Sequence, residues 1–256
     1  MRLRQVCLVA SDLRRRADEL TGVFGLSVAY RDPAVARYGL HNVVAPVGND
    51  FLEIVSPTTP GTAAGRYLER RGGDGGYMVI LQADDALTER QRLASLGVRV
   101  VETIDRPTYQ ATHFHPGDTG GILLSIDSVP GADWRDPDCD WLPAGPDWRT
   151  HRREAVTTAL IGAELQSDDP GAFAALWSRL LGIPVEPDLS LRLSNARLRF
   201  VPAADGRGRG LGGIELAAAD RPRALAEAHA LSLPVSGDTV RVCGTRVALR
   251  DIRRVP

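Results

Sequence analysis

Four times along the chain, a short apolar run ends at an aspartate and leads into an amphipathic stretch. Each stretch stops at a glycine or serine inside an apolar-x-apolar-x-Val signature. The first instance runs from Val6-Cys7-Leu8-Val9 through Asp12 to Phe24-Gly25-Leu26-Ser27-Val28. The second has Met78-Val79-Ile80-Leu81, Asp85 and Leu96-Gly97-Val98-Arg99-Val100. The third has Ile161 to Leu165, Asp169 and Leu181-Gly182-Ile183-Pro184-Val185. The fourth has Ile214 to Ala218, Asp220 and Leu231-Ser232-Leu233-Pro234-Val235. The spacing from Asp to Gly or Ser is 13, 12, 13 and 12 residues. A repeat this regular restricts the chain to an architecture built from one supersecondary unit used four times.

Each part of the repeat has a physical reading. The apolar run is a buried strand. The aspartate sits where a helix N-cap belongs, its carboxylate accepting N–H groups that have no partner inside the helix. Leu13, Ala17, Leu20 and Phe24 then fall on one helical face, as do Phe173, Leu176, Trp177 and Leu180. Gly25, Gly97 and Gly182 supply a left-handed stop. Strand-like segments follow, in the first unit 27–31, 38–46 and 51–55, with Gly48-Asn49-Asp50 as the last turn. Each unit therefore reads β-α-β-β-β.

Spacing pairs the units. The first two, at about 1–57 and 76–128, are joined by a turn and a short helix from Gly65 to Arg71. The last two, at about 156–202 and 211–254, are joined by Gly206-Arg207-Gly208-Arg209-Gly210. The expected architecture is α+β, with four βαβββ modules paired into two domains, 1–128 and 155–256, around curved mixed sheets. Between them lies a linker, 129–154, rich in Pro and Asp and holding Trp134, Trp141 and Trp148. Three tryptophans predict a packed strap, not a loose tether.

With this pattern the sequence resembles the vicinal oxygen chelate superfamily of glyoxalases, bleomycin-resistance proteins and extradiol dioxygenases. Its first half is most similar to the methylmalonyl-CoA epimerase type. The resemblance rests on Gly48-Asn49-Asp50-Phe51-Leu52-Glu53-Ile54-Val55-Ser56-Pro57, Tyr67-Leu68-Glu69-Arg70-Arg71-Gly72-Gly73 and His115-Pro116-Gly117-Asp118-Thr119-Gly120-Gly121-Ile122-Leu123-Leu124. The second half matches only the general module pattern.

The resemblance implies up to two metal ligands per module, one in the first strand and one in the fourth. Carried over by position, it gives Gln5 and Glu53 in the first module. Such an oxygen pair suits Mg, Mn, Co, Ni or Zn. The second module has Met78 and Ser125 where metalloenzymes of the family have His and Glu. The third has Gly162 and Arg199, and the fourth Gly213 and Ala248. Half a metal site is thus implied, and a cleft without metal is the other reading.

His113 and His115 lie two apart on a strand and are expected to face the cleft together with Tyr109, as acid/base groups or metal ligands. The competing reading of His115-Pro116 is turn structure. His41 is expected to line the cleft from the first module. Gly208-x-Gly210-x-x-Gly213 precedes a strand, whereas a dinucleotide loop follows one, so it reads as a turn. Arg70-Arg71-Gly72-Gly73 lacks the Lys-Ser/Thr of a P-loop.

Two function classes follow. One is a lyase or isomerase moving a proton on a small carbonyl-type substrate, with Glu53, His115 and His113 as catalytic groups and Gln5, His41, Met78, Tyr109 and Ser125 contacting substrate. The other is a metal-free protein that sequesters a small molecule, as bleomycin-resistance proteins do.

Composition limits the partners. Hydrophobic residues make up 43% and charged residues 25%, which are globular values. Three scattered cysteines without a CxxC argue for a reducing, cytoplasmic setting and against a disulfide framework. No long apolar region follows Met1–Gln5, so no signal peptide is expected, and no apolar run is long enough to span a membrane. Association into a homodimer stays open. Every one of the 31 basic residues is Arg, which excludes lysine Schiff-base chemistry. Against 32 acidic residues they leave a net charge of -1. Without a basic excess, no nucleic-acid complex is expected. A gel-shift titration at physiological salt should show no complex with duplex DNA or RNA. A salt-dependent micromolar complex would contradict this reading.

Overall fold

The computed structural model describes residues 1–251. The last residues of the expected fourth module and second domain, 252–256, lie outside the described residues. The first module contains β1 (Arg2–Val9), α1 (Leu13–Phe24), β2 (Leu40–Val47) and β3 (Asp50–Pro57). Helix α2 (Ala63–Arg71) leads to the second, with β4 (Gly75–Gln82), α3 (Ala86–Ser95), β5 (Val100–Arg106), β6 (Tyr109–Phe114) and β7 (Leu123–Ser128). The third has β8 (Thr157–Ser167), α4 (Pro170–Leu181), β9 (Ser190–Arg192) and β10 (Arg197–Pro202). The fourth has β11 (Gly210–Ala218), α5 (Arg221–Ala230), β12 (Val235–Ser236), β13 (Thr239–Val242) and β14 (Thr245–Asp251).

The four aspartates cap the four module helices. Asp12 accepts from the Arg15 backbone N–H at 3.0 Å, and Asp85 from that of Leu87 at 2.8 Å. Asp169 accepts from Ala172 at 2.9 Å and Asp220 from Arg223 at 3.0 Å. Each cap is worth about 1 kcal/mol and fixes where strand becomes helix. The stop positions are also uniform. Gly25, Gly97 and Gly182 have φ of 66°, 80° and 67°, and Ser232, their counterpart in the fourth module, has φ of 55°.

The modules form two seven-stranded sheets, ordered β2-β3-β1-β4-β7-β6-β5 and β12-β13-β14-β11-β8-β10-β9. Modules one and two share the first sheet, and three and four the second. The sheets are mixed: β4 runs parallel to β7, β8 to β10 and β11 to β14, while hairpins such as β2–β3 are antiparallel. This is the α+β arrangement of two glyoxalase-like domains.

Modules two and four carry three strands after the helix. In modules one and three the first of these is reduced. The expected strand 27–31 is only an isolated bridge between Tyr30 and Val44, and a 3₁₀ turn, Pro33–Tyr38, replaces the start of the expected strand 38–46. Pro33 fixes φ and lacks an N–H, which favours the turn over a ladder. The Asp32 carboxylate caps that turn at the Ala34 N–H.

Internal contacts gather the chain into two compact units. The first comprises Met1–Val6, Tyr77–Trp141 and Gly162–Gly212. The second comprises Cys7–Gly76, Leu142–Ile161 and, of the described residues, 213–251. In the first, Phe173 of α4 packs edge-on against Trp177 of the same helix and against Phe200 of β10. In the second, Gly25 lies against Val156 so closely that a Cβ would come within 2.6 Å of its Cγ2. The three cysteines are buried free thiols. Among the described residues no helix is long and apolar enough to cross a membrane.

The left-handed serine generates a test. A side chain at positive φ costs about 1–2 kcal/mol, of which glycine's greater freedom when unfolded offsets about half. Ser232→Gly should therefore raise unfolding stability by about 0.5–1 kcal/mol in urea titrations. Gly25→Ala, strained and crowded, should lower it by more than that.

Candidate active site

The expected site residues fall in both compact units. Glu53 and His41 belong to the second. Gln5, Met78, Tyr109, His113, His115 and Ser125 belong to the first.

In the second unit, β3 places Glu53 opposite Val44 of β2, and strand parity puts Asn42 on the same face as Val44. Glu53 is only 7% exposed. The Asn42 Nδ2 donates to its Oε1 at 2.7 Å. The Asn42 carbonyl is itself fixed, accepting the Asp32 backbone N–H at 2.8 Å, so its amide N–H₂ end is turned to the carboxylate. The Cys7 thiol also hydrogen-bonds Glu53. Burial pushes that thiol well up, and the neighbouring Glu53 charge adds to the shift, so Cys7 stays protonated. His41 alternates with Asn42 along β2 and points to the opposite face, where it is exposed. It does not join Glu53.

In the first unit, register brings four expected residues to one face. Met78 lies opposite Leu123, and Ser125 is two residues further along β7. His113 lies opposite Ser125, and Tyr109 shares its parity on β6. Asp127, two beyond Ser125, completes this face and was not singled out in the sequence. Its carboxylate accepts from the Ser125 hydroxyl and the Tyr109 phenol. Burial raises its pKa to about 7 against the lowering effect of both hydrogen bonds. Opposite it on β4 lies Gln82, fully buried, whose Nε2 donates to Cys139 Sγ at 3.2 Å. The Gln82 Oε1 has no hydrogen-bond partner.

The strap reaches this face. Trp141 is 1% exposed and donates its indole N–H to Gln5 Oε1 at 2.8 Å. Its ring meets Tyr109 edge-on at 5.5 Å, with the Arg4 guanidinium 5.3 Å from its centroid. Gln5 is thus occupied by an indole donor. His115 lies just past the end of β6, and its Nδ1 accepts the Gly117 N–H at 3.0 Å, so it serves a turn. In the second unit Trp148 packs edge-on against Phe51 at 5.1 Å, on the face that Glu53 shares by parity.

Residues 2–126 match the family model described as Glyoxalase/Bleomycin resistance protein/Dioxygenase superfamily. An ethylmalonyl-CoA/methylmalonyl-CoA epimerase of Cereibacter sphaeroides is 25% identical over 133 residues, covering 50% of this chain and 98% of that protein. Among solved structures, a variant 4-hydroxymandelate synthase from Streptomyces coelicolor superposes with a TM-score of 0.67 at 16% identity, covering 90% of this chain and 75% of that one. A Streptomyces coelicolor methylmalonyl-CoA epimerase, in complex with 2-nitronate-propionyl-CoA, gives 0.47 at 18% identity over 52% of this chain and 97% of that one.

Superfamily proteins often bind a divalent metal, but the donor set here does not fit one. Gln5 accepts from Trp141 and Glu53 from Asn42. Among the described residues no group of three or more His, Cys, Asp or Glu is placed to hold an ion. On the second sheet, Glu164 pairs with Arg199 at 3.5 Å and Glu215 with Arg250 at 2.7 Å.

Asp127 gives the site a pH signature. Its folded pKa is raised, so the folded state holds the proton more tightly than the unfolded chain. Its contribution is most favourable near pH 4 and is lost as pH rises to about 7. Asp127→Asn removes the buried charge while keeping shape. It should flatten that part of the stability–pH curve and stabilise the protein above pH 7 by about 1–3 kcal/mol, measured by denaturant unfolding at each pH.

Proposed function

We propose that the protein is a lyase or isomerase that moves a proton next to a carbonyl group of a small substrate, with Glu53 as the base and no metal in the step. The observation that carries this reading is the environment of Glu53: a buried carboxylate on an inner strand, oriented by the Asn42 amide at 2.7 Å. Burial strips water from a carboxylate and makes it a stronger base toward a carbon acid. Asn42 orients the carboxylate, which takes and returns the proton. The Cys7 thiol, kept protonated, is a donor for the charge that the carboxylate carries between turnovers. The similarity to an epimerase of 2-substituted malonyl thioesters supports the reaction class, since epimerisation is proton removal and return at one carbon. Sequestration without chemistry fits Met78 and Ser125 at the second module's ligand positions, but it gives no role to the oriented Glu53 carboxylate.

The test follows α-proton exchange in deuterium oxide across a panel of 2-substituted acyl thioesters and simple 2-oxo compounds. The wild-type protein should exchange the proton of at least one. Glu53→Gln keeps the Oε1 that Asn42 engages and removes the base. It should slow exchange by about 10²–10⁴-fold without changing the circular dichroism spectrum. Exchange that survives the substitution would remove Glu53 from the mechanism.

A further inference from the structure

The recess around Trp141 is built unlike an apolar core. Its walls are strand residues that present polar groups to a ring: the Gln5 carbonyl to the indole N–H, the Arg4 guanidinium beside the ring, and Tyr109 meeting it edge-on. Beneath Tyr109 lie the Asp127 carboxyl and Ser125 hydroxyl, and beside Asp127 the unpartnered Gln82 Oε1. Buried polar groups of this kind cost stability, and a recess selected only for packing would replace them with apolar side chains.

The occupant, in contrast, comes from a segment that pairs with no strand. Asp140 and Leu142, on either side of Trp141, are exposed, and 135–138 are exposed as well. Among its contacts, Arg2 donates to the Asp136 carbonyl at 3.4 Å, Arg4 to the carbonyls of Pro137 and Cys139 at 2.9 Å, and the Gln82 amide to Cys139 Sγ at 3.2 Å. Withdrawing it breaks no sheet ladder.

We propose that the Gln5–Tyr109 recess is a binding site for a planar aromatic ligand bearing an N–H donor, and that Trp141 is its resident occupant. A ligand of that class takes the indole's place, donating to Gln5 Oε1 and meeting Tyr109 edge-on, while the strap lifts away. This is independent of the role of Glu53.

The experiment uses the full chain with Trp141→Ala and two probes, 5-fluoroindole and fluorobenzene, observed by fluorine NMR and thermal denaturation. The variant should bind 5-fluoroindole and regain melting temperature with it. Fluorobenzene, lacking the donor, should bind about tenfold more weakly or worse. Adding Gln5→Leu should abolish that preference. A folded variant that binds neither probe, or both equally, overturns the proposal. Should Trp141→Ala not fold, the native protein carries the test. Millimolar indole must then speed hydrogen exchange of the amides at 139–142 beyond the effect of benzene, and equal exchange overturns the proposal.

Discussion

Every module depends on one event: a strand with both faces covered must turn, within two or three residues, into a helix lying on one side of the sheet. The backbone leaves the ladder there before the helix can satisfy its own first N–H groups. A single aspartate carboxylate bridges that gap in all four modules. The strands it releases are covered so fully that every residue of β1 and of β11 is buried. The cap therefore fixes register as well as helix length. A helix starting one residue late would rotate its apolar stripe by about 100° away from the sheet.

The two faces of the first sheet use different chemistry. The helix side is aliphatic and aromatic, with Leu124, Ile126 and Phe114 fully covered. The other side, within the first unit, carries Asp127, Ser125, Gln82 and Gln5, all buried, with hydroxyls and an indole meeting Asp127 and Gln5 while the Gln82 Oε1 is left over. Low dielectric makes each such contact stronger and each missing one more costly. Gln82 and Asp127 are where that cost is visible.

The fold was legible because its signals are local. Caps, stops and apolar runs depend on neighbours in sequence, and the expected helix at 65–71 lies within the observed Ala63–Arg71. The strand expected after α1 is reduced to a single bridge: Val28 and Tyr30 have strand propensity, but the turn at Pro33 decides the backbone. Parity on β6 and β7 correctly grouped Tyr109 with His113, and the same rule applied two residues past Ser125 points to Asp127. What sequence could not supply is contact across long separations. Trp141 reaches Gln5 across 136 positions, and no periodicity encodes that meeting. Asn42 was hidden for a related reason: beside His41 it reads as an ordinary strand polar residue until its partner is known.

The place of β1 has a consequence for how the chain acquires its structure. β1 precedes the other strands of its sheet in sequence, yet it lies between β3 and β4 in the finished sheet. Its second edge stays open until β4 at Gly75–Gln82 has left the ribosome. At about 5–20 residues per second, that is an interval of several seconds. Throughout it, an apolar strand with an unpaired edge is available to any other strand nearby. Arg2 and Arg4, which end up buried under the strap, give that nascent edge two charges that the finished sheet covers. A wait of this kind makes the first module the part of the nascent protein most in need of protection from its neighbours.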